Sequence, residues 1–390
     1  MKIIKNSHSG MGGIATESVE MLNYLKKHPE YNLSLVHRDP NNLSYFKRHE
    51  RNVTVHHLIV SRDYTRLIDD VGSAEDFSEK HRDKVLEIEG IIESDKPEIA
   101  LCVGTFYYPW FLLQAAKNRG LPIAIRYAGL IDKEETSPLW HEIGKDFLNP
   151  EYPSIFPSSH AKETLEEIHG IKLPDSYVVH NGVSEEFFRH KRKPSNDGFR
   201  IAVVGRLHEI KNLEFLAKLA KVLKSSNIQA DYSCVTEKHS IDFPNAYQRN
   251  VLKMLEEEGV KVFDYMPHEE LADFYRSVDL VITPSHFETF GNVPLEAITT
   301  GTPAIVNRTV GVKEALEKVG LEDFVVDIND MDSIVKKIKS IKDKRIIVDR
   351  ETSNKIIERY NWESRMDEYF EVLRKCLENQ QVSITATQDL

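Results

Sequence analysis

Two pairs of charged residues in the carboxyl half of the chain are spaced so that they could act on one ligand. Glu288 and Glu296 lie in the stretch VITPSHFETFGNVPLEAITTGTPAIVNRT, and Arg206 and Lys211 bracket the turn GRLHEIK. The first stretch reads as a strand over 279–283, a loop holding Glu288 and Gly291, a helix opening near Asn292 and Pro294, and a second strand over 304–307. Proline suits the first turn of a helix, and Gly301 followed by Pro303 is a stop signal. The backbone N–H groups of Gly291, Asn292 and Val293 are then left at the mouth of a parallel sheet, where the helix dipole favours an anion. Acids repel a phosphate but suit hydroxyl groups. The ligand inferred from the mixture carries both a phosphate and a polyol. A plainer reading stays open, in which Glu296 offsets the dipole and Glu288 is a solvated loop acid. Arg206 as a fork and Lys211 as a point charge suit a diphosphate, or else are two surface cations.

The elements that must position these residues form two similar series. In the amino half the strand KIIK is followed by NSHSGMGG and a helical pattern over 14–25, so Gly12 and Gly13 could bring backbone against a phosphate. Gly10, Gly12 and Ala15 also satisfy G-x-G-x-x-[GA], with Asp39 placed as a ribose-binding acid would be. A tight turn between strand and helix is the rival reading. Further strands are expected over 33–37, 53–60, 98–103, 123–127, 154–158 and 176–181, with one charge-rich helix over 74–94. Arg126 is a charge in the apolar strand IAIRY, next to Tyr127, and requires either an internal partner or a ligand. The polar run RHKRKPSNDG then separates the halves, and the series restarts with FRIAVV, Gly205 and a helix over 212–225. The expected domains are 1–190 and 199–358, then a terminal helix (359–378) and a disordered tail over 380–390.

Composition bounds the function. The 390 residues, 41% hydrophobic and 29% charged, suffice for two cores of ordinary size. A net charge of -11 argues against nucleic acid, whose phosphates demand a basic field. Cys102, Cys234 and Cys376 form no paired motif, as suits a reducing compartment, and no stretch is long and apolar enough to span a membrane. A cytoplasmic protein is expected, with contact at the inner face of the membrane left open. The sixteen histidines include no HExxH, and no metal site is expected.

The pair Glu288/Glu296 within HFETFGNVPLEAITTGTPAIV, the segments GRLHEIKN and VVHNGVSEEFF, and the early Gly12-Gly13 together resemble the retaining glycosyltransferases of family four, which have the GT-B fold. The resemblance covers most of the chain and is most specific in the carboxyl half. It implies an α/β protein of two Rossmann-like doubly wound domains facing across a cleft. The implied activity is metal-independent transfer of a sugar, with retention, from a nucleotide diphosphate sugar (a UDP- or GDP-sugar) to a hydroxyl acceptor, the departing phosphate taking the acceptor's proton. No cofactor is implied beyond that donor.

By the same resemblance Arg206 and Lys211 would hold the diphosphate, Glu288 the sugar hydroxyls and Glu296 the ribose. The N–H groups of Phe290, Gly291 and Asn292 would lie near sugar and phosphate, Met266 near the base, and Gly12 and Gly13 against the donor phosphate. Many members carry a histidine after the strand corresponding to 123–127. Here the text is IRYAGLID, which leaves Arg126 and Tyr127 as the acceptor-side candidates. The acceptor itself (sugar, small molecule, glycolipid or protein) is not specified. Two other functions remain: a nicotinamide-dependent oxidoreductase, on the glycine motif with Asp39, and a non-catalytic sugar-nucleotide-binding protein.

Overall fold

The strand Ile99–Val103 (IALCV) is buried at all five positions, as expected of a central strand covered on both faces of a parallel sheet. Around it a computed structural model describes residues 1–7, 13–38, 46–58, 71–129, 138–190, 198–238 and 244–388. By internal contacts the chain divides into one unit of Met1–Val179 with Arg365–Leu390 and a second of His180–Ser364. Gly10, Gly12 and Asp39 lie outside the described residues, as does the linker segment 191–197.

The first unit is built on an eight-stranded sheet. Its strands are β1 (Lys2–Asn6), β2 (Asn32–Arg38), β3 (Phe46–Glu50), β4 (Val53–Leu58), β5 (Ile99–Val103), β6 (Ile123–Arg126), β7 (Ser154–Phe156) and β8 (Ser176–Val178). The order is β3-β4-β2-β1-β5-β6-β7-β8, parallel except for β3, which runs antiparallel to β4. Sequence reading missed β3, because FKRHE has no apolar alternation. Its charges suit an edge strand, where they discourage pairing with another chain. The helix expected over 74–94 is two, Ala74–Lys80 and Arg82–Asp95, broken at His81, whose ψ of 17° leaves the helical range. Ser73 caps the first of them by accepting a hydrogen bond from the Asp76 N–H.

Lys5 of β1 is 1% exposed. Its Nζ donates to Ser18 Oγ at 3.1 Å and to the Asn6 carbonyl at 3.2 Å. Burial lowers its pKa to about 8, partly opposed by the charge of Glu17. The unfolded chain therefore holds more protons than the folded one between about pH 8 and 10.5. Stability of the first unit should consequently rise across that window, by on the order of 3 kcal/mol from this group. Lys5→Met should remove the rise, and denaturation midpoints measured at pH 7.5 and 10 would show it; an equal rise in the variant would refute the assignment.

The second unit has the sheet order β11-β10-β9-β12-β13-β14, all parallel. These strands are β9 (Arg200–Val204), β10 (Asp231–Val235), β11 (Lys261–Phe263), β12 (Leu280–Thr283), β13 (Ala304–Asn307) and β14 (Val325–Val326). Chain order reverses direction at β9, so the switch point lies between β9 and β12, where open α/β sheets bind ligands. Residues 180–190, expected with the first domain, belong to this unit. Val183 N–H donates to the Tyr360 carbonyl at 2.7 Å, and Phe187 is buried in one apolar cluster with Tyr275.

The terminal helix expected over 359–378 starts at Trp362 and runs to Gln388, and a separate helix, Arg350–Tyr360, precedes it. Asn361 between them is extended, and its Oδ1 accepts from Ser364 N–H to start the second helix. That helix runs through 388, so most of the expected disordered tail continues it. From Arg365 onward it belongs to the first unit, where Tyr24 OH donates to Asp367 Oδ1 at 2.6 Å and the Tyr24 and Phe370 rings stack at 5.1 Å. Among the described residues no helix is long and apolar enough to cross a membrane.

Candidate active site

The loops after β9 and β12 are stitched together. Asn212 takes a left-handed conformation (φ 50°) that ends the turn Glu209–Lys211, and its Nδ2 donates to the Pro284 carbonyl at 3.1 Å. In return, His286 N–H donates to the Ile210 carbonyl at 2.8 Å. These two bonds set Lys211 opposite Glu288, with Nζ 2.8 Å from Oε2. The other oxygen, Oε1, accepts a hydrogen bond from Ser285 Oγ at 2.6 Å. Both members of the ion pair are partly exposed, Lys211 at 20% and Glu288 at 15%, so a ligand can reach them. Arg206 is exposed and forms no ion pair among the described residues.

The loop carrying Glu288 is held from its other side by the turn after β13. Gly311 N–H donates to the Glu288 carbonyl at 3.0 Å, and Val312 N–H to that of Phe290 at 2.7 Å. Between them Gly291 adopts φ 88°, and a Cβ there would stand 2.7 Å from Val310 Cγ1 and 3.1 Å from Glu288 Oε2. Gly291→Ala thus meets backbone strain and a rigid neighbour together. It should destabilise the second unit by about 1–3 kcal/mol and displace Glu288, lowering the thermal midpoint and weakening nucleoside diphosphate binding; an unchanged midpoint would contradict this close fit.

Asn292 follows as N-cap of the helix Val293–Thr299, with Pro294 in its first turn as expected. Among the described residues nothing accepts from the N–H groups of Gly291, Asn292 and Val293, which are partly exposed. Phe290 lies between these groups and Glu288 but is 1% exposed, so only its backbone is available at the surface. Glu296, in the first turn, is 9% exposed and accepts a hydrogen bond from Tyr275 OH at 3.0 Å. Burial raises its pKa, with the charge of Glu288 adding to the effect, while His268 and the tyrosine oppose it. A carboxylate that only offset a dipole could sit in water; this one is buried and given a donor. Met266 is half-buried at the edge of the same apolar cluster as Phe290 and Leu295.

In the first unit the two acceptor-side candidates are corrected. Arg126 is 2% exposed; its Nε and NH2 donate to Glu17 Oε2 at 3.0 and 2.9 Å, and NH1 donates to the Val179 carbonyl at 3.0 Å. Tyr127 is 1% exposed, stacked on Phe156 at 4.6 Å, with its OH donating to the Phe147 carbonyl. Both therefore serve the core, since the charge found its partner inside the protein. Gly13 opens the helix Gly13–Lys27.

Several residues of the site were not singled out from sequence. Ser285 orients Glu288, and Tyr275 holds Glu296. His180 is 5% exposed with Nε2 3.2 Å from Glu314 Oε2 and its ring 5.5 Å from that of Phe290. Asn181 Nδ2 donates to Asn292 Oδ1 at 3.1 Å. The signal was the segment VVHNGVSEEFF, which carried a resemblance but received no role residue by residue. Among the described residues no group of three or more His, Cys, Asp or Glu side chains is placed to hold a metal ion.

Residues 184–361 match the family model described as glycosyl transferases group 1. A D-inositol 3-phosphate glycosyltransferase of Catenulispora acidiphila is 26% identical over 234 residues, 55% of either chain, so the chain spans about half the length of that relative. An uncharacterized glycosyltransferase of Methanocaldococcus jannaschii is 26% identical over 315 residues, 74% of this chain and 78% of that protein. Among solved structures, the sucrose-phosphate synthase of Thermosynechococcus elongatus superposes with a TM-score of 0.73 at 15% identity, covering 97% of this chain and 99% of that one. An E. coli trehalose-6-phosphate enzyme bound with UDP-2-fluoro glucose gives 0.68 at 13%, covering 95% and 98%. At such identities the likeness is one of fold.

Proposed function

We propose, for a chain whose residues 184–361 match the family model of the glycosyl transferases group 1, that it transfers a sugar with retention from a nucleotide diphosphate sugar to a hydroxyl acceptor. The observation that carries this reading is the Lys211–Glu288 pair, the buried and tyrosine-braced Glu296, and the N–H groups of Gly291, Asn292 and Val293 that meet no acceptor among the described residues, all on loops at the switch point of one sheet. Lys211 and Arg206 neutralise the diphosphate as the bond from the anomeric carbon to the phosphate oxygen breaks. The acceptor oxygen forms the new bond to that carbon on the same face, and its proton passes to the departing phosphate oxygen. Glu288 accepts hydrogen bonds from sugar hydroxyls while keeping Lys211 in place, and Glu296 binds the ribose from its tyrosine-braced position. Met266 lies toward the base. The two cations supply the leaving-group charge compensation, so the reaction needs no bound metal.

Support for a UDP-linked donor comes from the UDP-2-fluoro glucose bound by the E. coli relative of the fold. Thermal shifts with UDP, GDP, ADP and their sugars would identify the base, and cleavage of the stabilising donor with and without added sugar or polyol phosphates would test transfer. Stabilisation without cleavage under any of these conditions would leave a binding protein and end the transferase reading.

A further inference from the structure

Away from the candidate site, two helices of the second unit share one basic face. The helices Glu214–Ser225 and Met331–Lys344 both bury their apolar sides in one cluster, through Leu216 and Leu219 of the first and Ile334, Ile338 and Ile341 of the second. They therefore cover the same face of the sheet. Lys342 Nζ also donates to the carbonyl of Gln229, in the connection that follows the first helix. Their outward sides carry six exposed lysines, 218, 221 and 224 on one helix and 336, 339 and 344 on the other. Arg345 adds a seventh cation.

Among the described residues none of these seven forms an ion pair. The acids on the same helices are Glu214, which is half-buried and accepts from Tyr247 OH, and the exposed Asp332 and Asp343. In a chain of net charge -11 the two helices form a local excess of positive charge, which Asp231 and Glu258 offset only beside Lys224, where the three line one cavity.

We propose that this face docks the protein on an anionic lipid surface. The apolar residues of both helices are consumed by the core, so the face offers no cluster from which a protein interface could be built. Lysine predominates over arginine, and neither helix exposes an aromatic ring on which a base could stack. What remains is diffuse positive charge with one exposed apolar side chain beside it, Ile347 at 37%. A layer of anionic headgroups over hydrocarbon complements that combination. The helices lie along the surface without entering it. The inference is independent of the donor-site reading, because it rests on different residues and is read without turnover.

The test is co-sedimentation of the full chain with vesicles of phosphatidylcholine containing phosphatidylglycerol in equal parts. Binding is expected at about 0.05 M salt and should be lost at about 0.5 M, where screening shortens to a few ångströms. Vesicles of phosphatidylcholine alone should bind nothing. The combined variant Lys218→Glu, Lys221→Glu, Lys336→Glu, Lys339→Glu should weaken binding at least about 100-fold; the matching glutamine variant should fall between. All four side chains are exposed, so both variants should keep the wild-type thermal midpoint. Absence of wild-type binding at low salt, equal binding by the glutamate variant, or equally tight binding to a DNA duplex under the same conditions would overturn the proposal.

Discussion

Lys211→Ala should lower turnover by about 10²–10³-fold, the usual cost of removing one preorganised charge from a developing oxyanion. Nothing else described can replace it. Arg206 is exposed and forms no ion pair among the described residues, while Lys211 is fixed by its 2.8 Å contact to Glu288 and by the two bonds that join the β9 and β12 loops. Because the charge on the leaving phosphate builds as the bond breaks, kcat and kcat/KM should fall together. Stability should change little, since both partners are partly hydrated and an ion pair of that kind is worth at most about 1 kcal/mol. Glu288→Gln offers a second test. If the carboxylate holds the lysine, the variant weakens binding of the nucleoside diphosphate without its sugar; if it only reads sugar hydroxyls, that affinity stays constant. Unchanged turnover in Lys211→Ala would remove the lysine from the phosphate clamp.

The contrast between the two units shows what a sequence makes legible. In the second unit the strands β9, β12 and β13 are largely apolar runs ending in small or polar turns, so they and the helix at Asn292 are readable from periodicity and stop signals alone. The same local signals place Gly291 and Pro294. What periodicity cannot give is which side chains meet across loops. Lys211 facing Glu288, Ser285 turned onto that carboxylate and Tyr275 on Glu296 are products of the sheet order, which brings β9 beside β12. In the first unit β3 escaped notice because an edge strand needs no apolar alternation, and the break at His81 because one residue leaving helical geometry hardly disturbs the pattern of apolar positions. Arg126 was ambiguous for a different reason. A charge within an apolar strand announces that a partner exists, and only the fold tells whether that partner is protein or ligand.

That partner makes Arg126 the position where substitution should cost most in stability. The guanidinium and Glu17 are 2% and 6% exposed, both bonds run to Oε2, and the other oxygen of Glu17 is buried with no hydrogen-bond partner among the described residues. The Tyr369 ring of the helix Trp362–Gln388 covers the guanidinium at 5.4 Å. Arg126→Ala removes the ion-pair partner of a buried carboxylate along with a packed side chain, and should destabilise the first unit by about 3–5 kcal/mol. The pair itself is a different matter. Replacing both members by apolar side chains of similar volume, Glu17→Leu with Arg126→Met, avoids two desolvation costs at once and should recover most or all of the lost stability. Denaturant midpoints of the single and double variants separate these terms. Equal losses in the single and double variants would mean that the guanidinium contributes chiefly through its hydrogen bond to the Val179 carbonyl and its packing against Tyr369, and not by neutralising Glu17.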